Sequence, residues 1–311
     1  MNQADDHFAP GIGVAQVLEP GLRRIVAPNP SPMTHRGTNT YLLGERGLAV
    51  IDPGPESLAH LDAILSALKP DQRVSHIVVT HAHLDHSPLA AALSARTGAQ
   101  VYGFGPATAG RSAVMTQLAL AGLAAGGEGV DTAFQPDVAL ADGDVIEGEG
   151  WTLRAIHTPG HIGNHICLGW NDACFTADHV MGWASSLVSP PDGDLTDFMT
   201  SCDKLQAQFW RVFHPGHGAP ISDPAARLHW LITHRRARET AILAALTKGP
   251  ADAATLAAQI YIDTPTALMR AATRNVFAHL VDLTGKSAVS PVSQLSDTAK
   301  FRLHLPRDAD N

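Results

Sequence analysis

Short apolar runs of strand length alternate with helical stretches through the first two-thirds of the chain. Such runs predict buried strands, which we assign to residues 23–28, 40–45, 47–52, 76–80, 100–104, 166–170, 173–177 and 210–215, with further strands within 138–158. Helical spacing predicts a helix over 56–69, and Ser87-Pro88 precedes another in LAAALSART. Residues 105–127 are Ala/Gly-rich, and we interpret them as a helix-prone, weakly anchored lid.

The pattern changes near Asp223. Helical spacing continues over 223–249, 252–262 and 264–287, and the chain closes with two short predicted strands in SAVSPVSQ and TAKFRLHL. Three helices followed by two strands are the outline of a winged helix. We therefore divide the chain into a flexible N-terminus (1–19), a large domain (20–222) and a small, helical, winged-helix-like domain (223–311).

Polar, ligand-type side chains follow four of the predicted strands. The strand HIVVT leads into the cluster HAHLDH, and three further strands lead into single residues of the same kind. In sheets covered by helices, ligand-binding residues gather at strand ends, so these side chains are expected to converge. The seven residues are His81, His83, Asp85, His86, His161, Asp178 and His217.

Five imidazoles and two carboxylates are a donor set for zinc, manganese or iron. Seven donors exceed what one tetrahedral ion can use. They suit two ions about 3.5–4 Å apart that share one carboxylate and one hydroxide. Isolated histidines such as His60 and His76 carry no such signal, and an ordinary structural role is the better interpretation for them.

In this order and separation, THAHLDH, HTPGH, FTAD and PGHG resemble the metallo-β-lactamase superfamily. The resemblance covers about residues 20–222 and implies an α+β fold, a four-layer αββα sandwich with the metal ions at one edge. By position, it implies a first ion held by His81, His83 and His161. It implies a second ion held by Asp85, His86 and His217, with Asp178 as the bridge.

Differences from other members of the superfamily narrow the range of activities expected of this chain. Class B β-lactamases lack an aspartate at the position of Asp178, and flavodiiron proteins carry a glutamate where His83 stands. Glyoxalase II enzymes share HTPGHxxxH, matched through His165, but their glutathione-binding region has no counterpart here. RGTNTYLLG, THRRARETAIL and the winged-helix end resemble the beta-lactamase-like protein 2 group. That resemblance implies single-stranded RNA cleavage or, as in fungal relatives, thioester hydrolysis.

Two further residues are predicted to support the metal ligands. Metal-bound imidazoles need partners that fix their tautomer, and the family places such a residue where Asp52 stands; a strand-terminating Asp before a Pro-Gly turn is the alternative. His165 is expected to support the site or to pack beneath it. Asp85 is expected to orient the attacking hydroxide as well as to bind metal, which makes it the candidate catalytic residue.

A few residues are predicted to contact the substrate. Residues 179–194 follow Asp178 directly, so this segment is expected to border the substrate pocket. Trp183 and Leu187 are expected to offer apolar contact, and Ser185 or Ser186 to offer hydrogen bonds. A surface loop packed on its own side chains is the alternative. Asn39 in GTNTY is placed either at the mouth of the site or in a turn.

Charge argues against nucleic acid as the natural partner. Residues 1–222 carry 11 Lys/Arg against 22 Asp/Glu, and residues 223–311 carry 11 against 8. An acidic body does not attract a polyanion, although Arg270 and Arg274 lie four apart on one helix face. Three cysteines without a CxxC pair, no signal sequence and no apolar run of about 20 residues predict a cytoplasmic protein without a membrane partner.

The sequence therefore predicts a dinuclear hydrolase, zinc-dependent in the first instance, in which a metal-bridging hydroxide attacks a small ester or thioester. A single-stranded RNA endonuclease is the alternative. A non-catalytic nucleic-acid-binding regulator is more remote, because it would tolerate loss of ligands and none is lost. The C-terminal region is expected to shape one wall of the cleft or to support a homodimer.

Overall fold

Seven strands form the first sheet of the computed structural model, which describes residues 8–124, 126 and 129–304. They lie side by side in chain order, antiparallel from β1 to β4 and parallel from β4 to β7. Their bounds are β1 Gln16–Glu19, β2 Leu22–Val26, β3 Asn39–Leu43, β4 Gly47–Ile51, β5 Arg73–Val78, β6 Gln100–Gly103 and β7 Val138–Ala139. Strand β1 lies in the segment predicted to be flexible, whose first seven residues are outside the described part.

The second sheet contains five strands in the order β12-β11-β10-β9-β8. Its pairs are antiparallel except for β11 and β12, which run parallel. The bounds are β8 Val145–Glu147, β9 Thr152–His157, β10 Ile166–Trp170, β11 Ala173–Ala177 and β12 Val212–Pro215. Strands β3, β4, β5, β10 and β11 were predicted within a few residues of these bounds.

The sheets pack face to face, and helices cover their outer faces. Leu43 and Ile51 of the first sheet meet Leu168 and Phe175 of the second in one buried cluster. Helices α1 (Leu58–Ser66) and α2 (Leu89–Thr97) cover the first sheet, and α4 (Leu195–Gln206) and α5 (Pro224–Leu246) cover the second. Each buried Leu, Ile or Phe side chain contributes about 1.5–3 kcal/mol. This is the four-layer αββα arrangement that the resemblance implied.

Helix α4 was missing from the predicted elements, although its sequence carries the signal. Leu195, Phe198, Cys202 and Leu205 recur at helical spacing and are buried against β10 and β12. The Asp194 carboxylate accepts a hydrogen bond from the Thr196 amide at 2.9 Å and so caps the first turn. The polar run before it, SPPDGD, concealed the start of the helix.

The C-terminal region consists of α5, α6 (Ala253–Ile260), a 3-10 turn (Thr266–Leu268), α7 (Met269–Gly285) and the hairpin of β13 (Val289–Pro291) and β14 (Phe301–Leu303). The three predicted helices and two strands are thus present; the winged-helix assignment and the domain boundaries stay predictions. Helix α3 (Ala113–Leu120) buries Met115 and Leu118 against this region. The predicted lid is therefore, over 113–120, a helix packed on the C-terminal helices.

Candidate metal centre

Seven side chains converge at one edge of the sandwich, where strands β5, β9, β11 and β12 end. Their ligand atoms fall into two groups, each with atoms within 4.8 Å of one another. The first group is His81, His83 and His161. The second is Asp85, His86, Asp178 and His217. These are the seven residues, divided in the two sets, that the sequence indicated.

The first group is three imidazoles whose free nitrogens face each other. Nε2 of His81 and Nε2 of His161 lie 3.1 and 3.0 Å from Nδ1 of His83. Nδ1–H of His161 donates to the Leu187 carbonyl at 2.7 Å. The Thr80 hydroxyl donates to Asp52, so it accepts from His81 Nδ1 at 2.9 Å. Two lone pairs therefore point at one nitrogen, an arrangement that a bound cation stabilises.

The second group is carboxylates interleaved with imidazoles. Nε2 of His217 lies 3.1 Å from Asp85 Oδ2 and 3.3 Å from Asp178 Oδ2, and Nε2 of His86 lies 3.4 Å from Asp178 Oδ1. Oδ2 of Asp178 also lies 3.6 Å from Nε2 of His161, which belongs to the first group. Asp178 thus lies between the two groups, which suits a carboxylate that bridges two ions.

Backbone geometry places Asp178 where it is. Ala177, the residue before it, has a φ of +42°, a conformation that L residues rarely adopt. Gly216 leaves room for the carboxylate, because a Cβ on Gly216 would lie 2.3 Å from Asp178 Oδ1 and 2.8 Å from His86 Cε1. A side chain at position 216 would therefore push apart two members of the second group.

Asp52 links both groups. Its Oδ2 accepts from His86 Nδ1 at 2.9 Å and from the Thr80 hydroxyl at 2.8 Å, and its Oδ1 accepts from the Thr80 amide at 2.8 Å. The contact fixes the His86 tautomer so that Nε2 faces the centre. Asp52 itself has a φ of +50°. This is the geometry expected of a residue that orients ligands.

His165 packs beneath the first group. Its ring lies 5.1 Å from that of His81, and its Nδ1 is 2.9 Å from the Thr158 hydroxyl. Its Nε2 is buried and has no partner among the described residues. His165 therefore lies behind the ligands, and its support of the site stays a prediction.

The two groups of side chains differ in charge. Burial lowers the pKa of His83 to about 3 and that of His81 well below its usual value. Burial would also lower the pKa of His217, but the carboxylates of Asp178 and Asp85 raise it to about 10. Although burial opposes ionisation, the neighbouring His86 and His217 hold the pKa of both carboxyls well below their usual range. The first group therefore offers neutral nitrogen donors, and the second offers anionic oxygen donors.

Side chains from both groups open onto a cavity of about 30 Å³. Four of its other wall residues lie in the segment 179–194 that was predicted to border the pocket: Leu187, which was also predicted as an apolar contact, and Met181, Ser189 and Asp192. Met33 and Gly126 complete the wall, and no motif indicated them. Thr38 also escaped notice, although it follows Gly37 in the GTNTY stretch; its hydroxyl lies 3.2 Å from Asp85 Oδ2.

Three of the predicted substrate contacts, Asn39, Trp183 and Ser185, do not line this cavity. Asn39 is fully buried, and its amide donates to the carbonyls of Pro215 at 2.9 Å and Gly218 at 3.0 Å. It therefore holds the loop that carries His217. Trp183 stacks on His35 with ring centroids 5.0 Å apart and lines a separate surface groove. Packing partners from other segments turn both side chains away from the cavity, and their contact with a substrate stays a prediction.

Ser185 is likewise absent from the cavity wall, because the C-terminal helices hold its backbone. Arg235, which is 2% exposed, donates at 2.7 Å to the carbonyls of both Ser185 and Ser186. Arg274 donates to the Ser189 hydroxyl at 2.5 Å and to the Pro190 carbonyl at 2.7 Å. Helices α5 and α7 thus fix residues 185–190, of which Leu187 and Ser189 line the cavity. The prediction of a surface loop resting on itself does not hold for this stretch.

Two further observations concern membrane-spanning helices and cysteine pairing. Within residues 8–124, 126 and 129–304, no helix is both long and apolar enough to cross a membrane. Cys167, Cys174 and Cys202 are buried, free thiols. The cytoplasmic location and the homodimer stay predictions.

Comparison with known proteins gives consistent matches. A family model, the metallo-beta-lactamase superfamily, matches residues 33–228. The chain is 32% identical over 306 residues to the Beta-lactamase-like protein 2 homolog of Drosophila melanogaster, covering 94% of this chain and 97% of that relative. It is 30% identical over 246 residues to the atrochrysone carboxyl ACP thioesterase of Aspergillus fumigatus, covering 76% and 68%.

Solved structures match over almost the whole chain. A metallo-beta-lactamase family protein from Thermus thermophilus superposes with a TM-score of 0.74 at 26% identity, covering 92% of this chain and 100% of that one. A beta-lactamase domain protein from Burkholderia ambifaria gives a TM-score of 0.77 at 21% identity, covering 96% of each chain. Both matches extend through the C-terminal helices, so that region accompanies the sandwich in other chains.

Proposed function

This chain belongs to the metallo-beta-lactamase superfamily, and we propose that it hydrolyses a small thioester or ester with two divalent metal ions, zinc in the first instance. The observation that carries the proposal is the pair of ligand groups, complete in all seven positions, at one cavity. Neutral imidazoles and carboxylates without a thiolate suit zinc, manganese or iron.

Two such ions, when bound, supply a hydroxide nucleophile at neutral pH and polarise the carbonyl that is attacked. The residues of this chain do the rest. Asp85, contacted at Oδ2 by Thr38 and His217, is placed to orient the attacking oxygen. Met33, Met181 and Leu187 give the cavity an apolar wall against which an acyl group packs.

A thioester suits the site better than RNA does. The cavity beside the ligands has an apolar wall of Met33, Met181 and Leu187, which suits an acyl chain better than a nucleotide. Of the basic residues that a polyanion would use, Arg235 and Arg274 are engaged in hydrogen bonds within the chain. The thioesterase of Aspergillus fumigatus among the relatives supports the same substrate class.

The first experiment measures bound metal together with hydrolysis of three p-nitrophenyl or thiol-release substrates: an ester, a thioester and bis-p-nitrophenyl phosphate. We expect about two ions per chain and preference for the thioester. His83→Ala should lose an ion and reduce kcat/KM by more than about 100-fold, whereas His229→Ala, a change at an exposed histidine, should do neither. Preference for the phosphodiester would overturn the substrate class, and a metal-free, folded, inactive protein would overturn the enzyme.

A further inference from the structure

Asp192 contributes a carboxylate to the wall of the cavity beside the metal ligands. The residue is 7% exposed. Its Oδ1 accepts a hydrogen bond from Arg111 Nη2 at 2.7 Å. Its Oδ2 is buried and has no hydrogen-bond partner among residues 8–124, 126 and 129–304. One oxygen is therefore anchored and the other is unpaired.

The surroundings keep this carboxylate in place. The Asp192 and Gly193 amides donate to the Ser189 carbonyl at 3.2 and 2.9 Å, which closes a tight turn. Arg274 of α7 donates to the Ser189 hydroxyl and to the Pro190 carbonyl in the same turn. The turn fixes the Asp192 backbone, and the side chain cannot swing away without breaking its ion pair with Arg111.

An unpaired buried acceptor is costly, at about 1–3 kcal/mol. Such a group is commonly retained where a ligand supplies the missing donor. Because Arg111 already balances the charge of Asp192, the free oxygen suits a neutral N–H or O–H better than a second cation. The same cavity wall holds His161 and Asp178, so the donor would lie close to the reacting carbonyl.

We propose that Asp192 determines specificity by accepting, at Oδ2, a hydrogen bond from a neutral N–H or O–H of the substrate near its scissile carbonyl. The proposal rests on the proposed hydrolase function and narrows its substrate class to donor-bearing esters or thioesters. The donor has two chemical sources: a hydroxyl on the acyl chain, or an amide N–H on the leaving thiol.

Three thioesters of matched size separate the sources. The S-butyl thioester of butyric acid carries no donor, the N-acetylcysteamine thioester of butyric acid carries an amide N–H, and the S-butyl thioester of 3-hydroxybutyric acid carries a hydroxyl. The measurement is kcat/KM for each with the metal-loaded, full-length protein. We expect the wild type to prefer one donor-bearing substrate over the plain one by about tenfold to a hundredfold.

Asp192→Asn keeps the shape of the side chain but replaces one oxygen with an amide donor. We expect it to lower kcat/KM for the donor-bearing thioester by about tenfold more than for the plain one, and so to abolish the preference, with two ions still bound. Asp203→Asn, at an exposed position on α4, is the matched control and should keep the preference.

The outcomes are distinguishable. Equal losses on all three substrates in Asp192→Asn, or no donor preference in the wild type, would overturn the role of Asp192 but leave the hydrolase intact. Absence of activity on every thioester in the metal-loaded wild type would instead overturn the proposed function. Should Asp192→Asn fail to fold, Asp192→Glu, which keeps the charge but displaces Oδ2, provides the same test of the ratio.

Discussion

The two groups of ligands face one cavity but differ in charge. His81, His83 and His161 form a neutral group whose pKa values burial lowers. The group of Asp85, His86, Asp178 and His217 combines two ionised carboxyls with imidazoles of raised pKa. An ion in the first place meets bare nitrogen donors, whereas an ion in the second place has to displace protons. The same fold edge therefore builds two sites of different proton linkage.

Replacing Asp178 should affect both groups at once, since its carboxylate contacts His161 of one group and His86 and His217 of the other. We expect Asp178→Ala to weaken both sites and to reduce kcat/KM by more than about 100-fold. The control is Asp172→Ala, at an exposed position in the turn between β10 and β11. Metal analysis after gel filtration measures the loss; a variant that keeps two ions and full activity would contradict the bridging position.

A change at Asp52 should affect the metal affinities of the two groups unequally, because Asp52 contacts His86 directly but reaches His81 only through Thr80. Asp52→Asn removes the charge behind His86 and should weaken one of the two ions by about 10–100-fold. Competition with a chromophoric chelator measures both affinities, with Asp62→Asn, at an exposed position on α1, as the control. Equal weakening of both ions would show that Asp52 does not distinguish the groups.

The pH dependence of metal binding sharpens the comparison further. With a pKa of about 10, His217 carries a proton at pH 7 before metal binds, so binding has to release it. Because the pKa of His86 is raised as well, the affinity of that site should fall at least about tenfold for each unit that the pH is lowered between 8 and 6. His83, with a pKa of about 3, has no proton to lose in this range, so the other site should respond little.

Calorimetric titration with zinc in two buffers of different ionisation enthalpy counts the released protons. We expect one binding step that releases at least about one proton and one that releases fewer. Two steps with identical proton release would remove the distinction between the groups.

The ligands could be predicted from the sequence, and the cavity wall could not. Each ligand follows an apolar run that must be a strand, so the end of the run fixes where His161 or Asp178 lies. Strand pairing then brings the ends together. Nothing comparable fixes Met33 or Asp192, which lie in irregular segments and meet only once the strands and the C-terminal helices have packed.

Trp183 and Ser185 also show that the sequence does not predict which side chains face the cavity. Their place in the chain, just after Asp178, correctly indicates a segment next to the site. The direction of their side chains depends on contacts from far along the chain: His35 stacks on Trp183, and Arg235 binds the Ser185 carbonyl. For the fold, burial periodicity sufficed for most strands and helices, and failed at β1, whose residues are largely exposed or half-buried.

Every metal ligand precedes residue 223, whereas Arg235 and Arg274, which hold the wall beside them, follow it. The candidate ligands and the helices that brace the cavity wall thus lie in separate stretches of the chain. A change in α5 or α7 would therefore reshape the wall without touching a candidate ligand.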